Sequence, residues 1–190
     1  MSRGGTFLPG ARVVGAMPAP AAKPVRASHV EITELVLPQD TNPLGNVLGG
    51  HVMHLMDQAA AMAGIRHARR PVVTASVDKL DFHNPIKLGE FIILKASVNA
   101  AFHTSMEVGV RVESEHPLTG ERRHTSSAYF TFVALDERGR PTEVPPVLPE
   151  GAEERRRHDE ALRRREARLA ERARAAKGTE ARKPRGRKAA

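Results

Sequence analysis

Residues 45–64 read GNVLGGHVMHLMDQAAAMAG, a glycine-rich turn running into an apolar stretch. Apolar residues fill most positions from Val47 to Ile65, which predicts a helix over about Gly50 to His67, apolar on most sides and wrapped by other elements. One carboxylate, Asp57, stands in its middle. At helical spacing its neighbours are Met53 and His54 on one side and Ala60 and Ala61 on the other. Acids are rarely placed among alanines and methionines without a reason. In such a place a carboxylate serves as a general base or a nucleophile; the alternative is a helix acid that faces solvent or caps a neighbouring element.

Gly49 and Gly50 lie about two helical turns before Asp57, so both ends of that span can border one groove. Glycine at a helix start lets a ligand approach the backbone. The free N–H groups of the first turn and the positive end of the helix dipole favour a developing oxyanion. The plainer reading is a tight turn that needs positive φ. Just upstream, PQDTNP (38–43) is a polar loop whose Asn42, with Asn46 beyond it, can hold a water or a carbonyl through its amide. Ordinary turn chemistry is the alternative there.

Outward from this centre the chain reads as strands. HVEITELVL (29–37) is β-branched and partly alternating. VVTASVDKLDF (72–82) alternates, with a bulge expected after Val77. FIILKASVNAA (91–101) follows. Residues 102–115 carry Met106, Val108, Val110 and Val112 at period two, and Arg122–Leu135 ends in YFTFV (129–133). The order is strand, helix, then four antiparallel strands, an α+β arrangement in which one face of the sheet is left for the apolar helix to cover.

The charge is confined to one end. Of 30 Lys and Arg and 22 Asp and Glu, residues 151–190 hold 15 and 7, so the net charge of +8 lies there and the first 150 residues are neutral. A nucleic-acid-binding role for the whole chain is therefore not implied by its basic pI. Residues 152–177 are rich in Arg, Glu and Ala and predict a solvated helix whose only large apolar residues, Leu162 and Leu169, make a thin seam. Residues 178–190 are basic with Pro and Gly and are expected to be disordered, as are residues 1–27, rich in Gly, Pro and Ala. No cysteine is present, which removes disulfides, thiolate nucleophiles and Cys-based metal sites. Val47–Ile65 contains Asp57, Gln58 and two histidines and makes a poor membrane span. Residues 1–25 lack a secretory pattern, and a cytoplasmic protein is expected. His51 and His54 have no third ligand nearby in sequence, so no metal is expected. His83, His103 and His124 form no identifiable triad, and Ser76, Ser105, Ser126 and Ser127 lack a nucleophile-elbow context.

The four blocks TNPLGNVLGGHVMHLMDQAAAMAG, VVTASVDKLDFHNPIKLGE, HTSMEVGVRVESE and AYFTFVALDERGRP, in this order, resemble the hotdog-fold acyl-CoA thioesterases over residues 30–149. That resemblance implies a long central helix wrapped by a curved antiparallel sheet. It implies hydrolysis of acyl-CoA to fatty acid and CoA without a cofactor. It implies a homo-oligomer, a dimer of hotdog domains grouped into a trimer of dimers. It assigns catalysis to Asp57 on the helix, Asn42 from the loop of a neighbouring domain, and the Gly50 N–H as oxyanion donor. CoA contacts would fall on Thr74, Ala75 and Ser76, on His103, Thr104 and Ser105, and on Arg165 in the following helix. His103 departs from the small residue the family pattern places there. Domain bounds follow: 1–27 an extension, 28–149 the hotdog domain, 150–177 a charged helix and 178–190 a basic tail. The competing readings are a non-catalytic acyl-CoA-binding sensor and a hotdog hydratase, whose Asp–His pair has no matching motif here.

Overall fold

The alternation of apolar residues between Ile92 and Ala134 decides where the molecule keeps its core. The computed structural model describes residues 20–78 and 80–181. In order they form β1 (Lys23–Pro24), β2 (Val30–Leu35), α1 (Gly49–Ala68), β3 (Val72–Val77), β4 (Asp81–Phe82), β5 (Phe91–Ala101), β6 (Ser105–Glu115), β7 (Arg122–Ala134), β8 (Val147–Leu148) and α2 (Ala152–Ala181). Single 3-10 turns fill Val25–Ser28 and Pro38–Asp40. The main sheet runs β2-β5-β6-β7-β3, antiparallel throughout, with β4 also on β7. The break between β3 and β4 replaces the single strand expected over 72–82, and the bulge falls earlier than expected, between Thr74 and Ser76.

One face of the sheet is dry. Ile92, Leu94, Ala96 and Val98 of β5, Met106, Val108, Val110 and Val112 of β6, and Ala128, Phe130, Phe132 and Ala134 of β7 are buried in one cluster with α1. The helix contributes Val52, Leu55, Met56, Ala59, Ala60 and Ala63. Its small residues let it lie close: a Cβ on Gly64 would stand 3.6 Å from both Met106 and Val72. Met56 is fully buried, a position where truncation to alanine costs about 2–5 kcal/mol. The helix is not wrapped on all sides, however. Met53, Met62 and Ile65 are exposed, so apolar side chains of α1 face outward in the single chain.

Two expectations at the ends are corrected. Residues 23–27 were expected to be disordered, yet they are ordered, continuous with Ser28. β1 pairs in parallel with β8, Val25 is buried, and the Ser28 hydroxyl donates to Val25 O (2.7 Å) and accepts from Val98 N–H (2.9 Å). One apolar residue and one hydroxyl tie down a segment whose composition reads as linker. Residues 1–19 and 182–190, also expected to be disordered, lie outside the described residues. α2 runs to Ala181, past the end expected at 177, and it is not merely solvated. It docks on the outer face of the sheet through Ala161, Arg164 and Arg168, while Leu162 and Leu169 remain 39% and 49% exposed.

His67, near the end of α1, is fully buried and hydrogen-bonded through Nε2 to Pro145 O (2.7 Å), while its Nδ1 has no partner. Its carbonyl accepts from Lys23 Nζ (2.6 Å). Burial lowers its pKa below the ordinary value, opposed by the Pro145 bond and assisted by Lys23. The unfolded chain therefore takes up the proton more readily, and stability is lost as pH falls from about 6.5 toward the folded-state value. Denaturant titrations at pH 7.5 and 5.5 should show this loss. His67→Gln keeps a donor for Pro145 without a titrating ring, and it should flatten the pH dependence. An equally steep slope in that variant would show that other groups carry it.

Candidate active site

The first turn of α1 carries unused donors. Leu48 is the N-cap and offers no side-chain cap. The N–H groups of His51 and Val52 are taken by Leu48 O (3.0 and 3.2 Å). Those of Gly49 and Gly50 have no hydrogen bond among the described residues. Neither glycine has positive φ, so the tight-turn reading fails. A Cβ on Gly50 would meet nothing within 4 Å, whereas one on Gly49 would touch Phe82 at 3.5 Å. Among the described residues nothing requires a glycine at position 50; open space above two free amides is what its presence provides. The carbon-free approach and the positive end of a 20-residue helix together suit an anionic oxygen.

Asp57 lies about 10 Å further along the axis. It is half-buried, not enclosed as the apolar sequence suggested. The reason is that its stripe of α1, with Met53, Ala61 and Ile65 at helical spacing, is the outward-facing one. Thr74 Oγ1 donates to Asp57 Oδ1 (2.8 Å), so one carboxylate oxygen is held and the other is available. Thr74 was expected to contact CoA; in the structure its hydroxyl serves Asp57. The bulge explains how. Thr74 pairs with Phe132, an inward residue, and Ser76 pairs with Thr131, an outward one. The three residues Thr74, Ala75 and Ser76 are thus split across the two faces of the sheet. Ser76 Oγ is buried without a partner.

Asn42 sits in the loop before α1, and its turn chemistry is real. Its Oδ1 accepts from the N–H of Leu44 (2.9 Å) and Asn46 (3.3 Å), and its own N–H donates to Asn46 O (2.8 Å). This turn is braced by Leu48 N–H to Asp40 O (2.9 Å) and by bridges Thr41–Val47 and Asn46–Lys87. With Oδ1 occupied, the free Nδ2 group can only donate. No hydrogen bond joins Asn42 to Asp57 within the described chain. His51 lies between Glu34 (3.3 Å) and Asp40 (3.9 Å) and ties this loop to β2. Their ligating atoms lie within 4.8 Å of one another. His54 turns away to Gln58 (3.1 Å), so the two helix histidines do not converge.

The remaining expected CoA residues gather at the β5–β6 turn. His103 is exposed, 3.5 Å from Glu143. Thr104 O accepts from Ala134 N–H (3.0 Å), and Ser105 O accepts from Phe102 N–H (2.7 Å). Ser105 and Val73 both pair with Val133, which sets them two strands apart, roughly 10 Å. Arg165 places its guanidinium 4.3 Å above the Phe102 ring. A groove of about 600 Å³ lies on the outer face of the sheet, between Lys95, Arg111 and Tyr129 and the start of α2 at Glu153 and Arg156. Asp57 does not line it. The sequence reading missed Glu107, which is fully buried on that outer face and bound by Arg164 and Arg168. Alternation placed Glu107 opposite Met106 and Val108, but no local signal told that a helix would cover it.

A long helix seated against one antiparallel sheet is the arrangement of the hotdog class. Comparison with known proteins narrows this. Residues 44–121 match the profile of the thioesterase superfamily. The chain is 40% identical over 148 residues to the uncharacterized acyl-CoA thioester hydrolase YkhA of Bacillus subtilis, covering 78% of this chain and 86% of that one. An apo-hexameric acyl-CoA thioesterase superposes with a TM-score of 0.78 at 43% identity, over 80% of this chain and 98% of that chain. The acyl-CoA hydrolase of Staphylococcus aureus, solved in complex with butyryl coenzyme A, coenzyme A and coenzyme A disulfide, does so at 0.78 and 37%, over 84% and 97%. The Staphylococcus aureus protein has also been solved with an aspartate, a threonine and an asparagine each replaced by alanine. The chain belongs to the acyl-CoA thioester hydrolases of the thioesterase superfamily.

Proposed function

We propose that the chain hydrolyses acyl-CoA to a fatty acid and CoA at a site made by two copies, with Asp57 from one and Asn42 from the other. One observation carries this reading: Asp57 stands on an open stripe of α1, held through one oxygen by Thr74, two turns from the free amides of Gly49 and Gly50. The aspartate, threonine and asparagine replaced in the Staphylococcus aureus enzyme have the same spacing along their chain as Asp57, Thr74 and Asn42, which supports the assignment.

The thioester oxygen accepts from Gly50 N–H and from Asn42 Nδ2 of the second copy, where negative charge develops in the transition state. The free oxygen of Asp57 either takes the proton of an attacking water or attacks the carbonyl itself. The thiolate of CoA leaves. Water is the only co-reactant, and neither metal nor cofactor is required. The exposed Met53, Met62 and Ile65 on α1 and Val73 and Val77 on the edge strand β3 form surface that a second copy would cover. A hexameric relative supports a trimer of such dimers. Residues 28–149 are the catalytic unit, with α2 and the residues after it appended. Among the described residues no helix is long and apolar enough to cross a membrane, and we place the enzyme in the cytoplasm.

The test is release of free CoA, followed with a thiol reagent, over acyl chains of increasing length. Tight binding of acyl-CoA without turnover would replace the enzyme with a sensor. A second test concerns Gly50. Gly50→Val should fold, since the added carbons start in open space, yet lower kcat/KM by about 100-fold by obstructing the oxyanion site. Full activity with unchanged assembly by light scattering would move the oxyanion site elsewhere.

A further inference from the structure

Three arginines of α2 divide their work. Arg164 Nη2 lies 2.7 Å from Glu107 Oε1, and its Nε lies 3.2 and 3.3 Å from the two carboxylate oxygens. Its guanidinium also covers the Tyr129 ring at 3.5 Å. Arg168, one turn on, reaches Asp78 Oδ2 (2.6 Å) and Glu107 Oε2 (3.3 Å). Asp78 directly follows β3, the strand that carries Thr74. Glu107 is fully buried and is also contacted by Asn99 Nδ2 (3.3 Å). A Cβ on Gly109 would stand 2.7 Å from that amide nitrogen, so glycine leaves room for the contact. A carboxylate out of water holds its cations strongly because alternatives are costly. Glu107 therefore fixes the rotation of α2 about its own axis and its height on the sheet. Arg165, next to Arg164, is turned about 100° away. It has no carboxylate partner among the described residues, and it stacks on Phe102 at the turn that contains His103, Thr104 and Ser105.

We propose that Glu107 is a positioning residue for recognition of the CoA phosphates: by gripping Arg164 and Arg168 it holds α2 in the rotation that presents Arg165 at the His103–Ser105 turn. This rests on the hydrolase reading above and on the CoA contact that the family resemblance gives to Arg165, whose cation suits a CoA phosphate. Glu107 touches no substrate. It acts through the helix.

The experiment compares two substrates with the same acyl group, one on CoA and one on pantetheine, which lacks the nucleotide and its phosphates. In Glu107→Gln, KM for acyl-CoA should rise about tenfold with kcat held within about twofold, the value of one lost charge-assisted contact. The kcat/KM for the pantetheine thioester should not change. Arg165→Ala should raise KM for acyl-CoA to a similar degree, and the double variant should raise it no further. The proposal is overturned if Glu107→Gln leaves acyl-CoA KM within twofold, if both substrates suffer in proportion, or if the two substitutions add. If Glu107→Gln does not fold, Arg164→Lys and Arg168→Lys weaken the grip while keeping the charge, and the same split is expected. A wild-type enzyme inactive on both substrates would refute the hydrolase reading instead. The grip is then read from binding of CoA itself, which Glu107→Gln should weaken and, if the proposal is wrong, will not.

Discussion

Asp57→Ala is expected to give a folded, oligomeric protein whose kcat/KM for acyl-CoA falls by about 1,000-fold or more. Folding is spared for three reasons. The carboxylate is only half-buried, it makes one hydrogen bond, and alanine is the better helix former. Activity is lost because Asp57 is the carboxylate with a free oxygen on the open side of α1, whereas Glu34 and Asp40 are engaged with His51 at the helix start. Asp57→Asn separates charge from shape. Its amide oxygen still accepts from Thr74, so a comparable loss there would assign the effect to the missing base or nucleophile. If either variant kept activity within a few fold of wild type while circular dichroism and sedimentation were unchanged, Asp57 would not be the working group.

Mixing two dead variants is expected to restore a working enzyme. Asp57→Ala chains still carry Asn42, and Asn42→Ala chains still carry Asp57. In a random mixture about half the dimers contain one of each, and every such dimer holds one intact site and one doubly broken one. Co-expression from equal doses, purified without selection for mixed dimers, should thus recover about a quarter of wild-type activity per mole of chain, from a background near zero. Activity equal to the sum of the two parents would mean that Asn42 and Asp57 serve the same site from one chain. Two observations support the shared arrangement: no hydrogen bond joins the two side chains among the described residues, and Asp57 lies beside the exposed Met53 and Ile65.

Asp57 is legible in the sequence because a charge interrupts an apolar helix, and that contrast is local. The strand over Phe91–Ala101 is legible for the same kind of reason, since Ile92, Leu94, Ala96 and Val98 recur at the period of the sheet. Other features depend on what lies across from them. Glu107 sits in a strand where every second residue is apolar, so it reads as solvent-facing until α2 is laid over it. The docking face of α2 is invisible because arginine is normally a surface residue, and here two arginines do the packing around one acid while Leu162 and Leu169 stay outside. The bulge that gives Thr74 to Asp57 and Ser76 to the opposite face is a matter of register with β7, which neither strand encodes alone. The ordering of residues 23–28 likewise depends on β8, more than a hundred residues away.

The turn around Asn42 uses one half of an amide and leaves the other half outside. Folding reads only the oxygen, and for that purpose aspartate is as good as asparagine. A thioester carbonyl reads only the nitrogen, and to it an aspartate at the same place is a repelling charge. Position 42 is thus a place where the protein's architecture is blind to a difference of a single atom that its chemistry would feel at once.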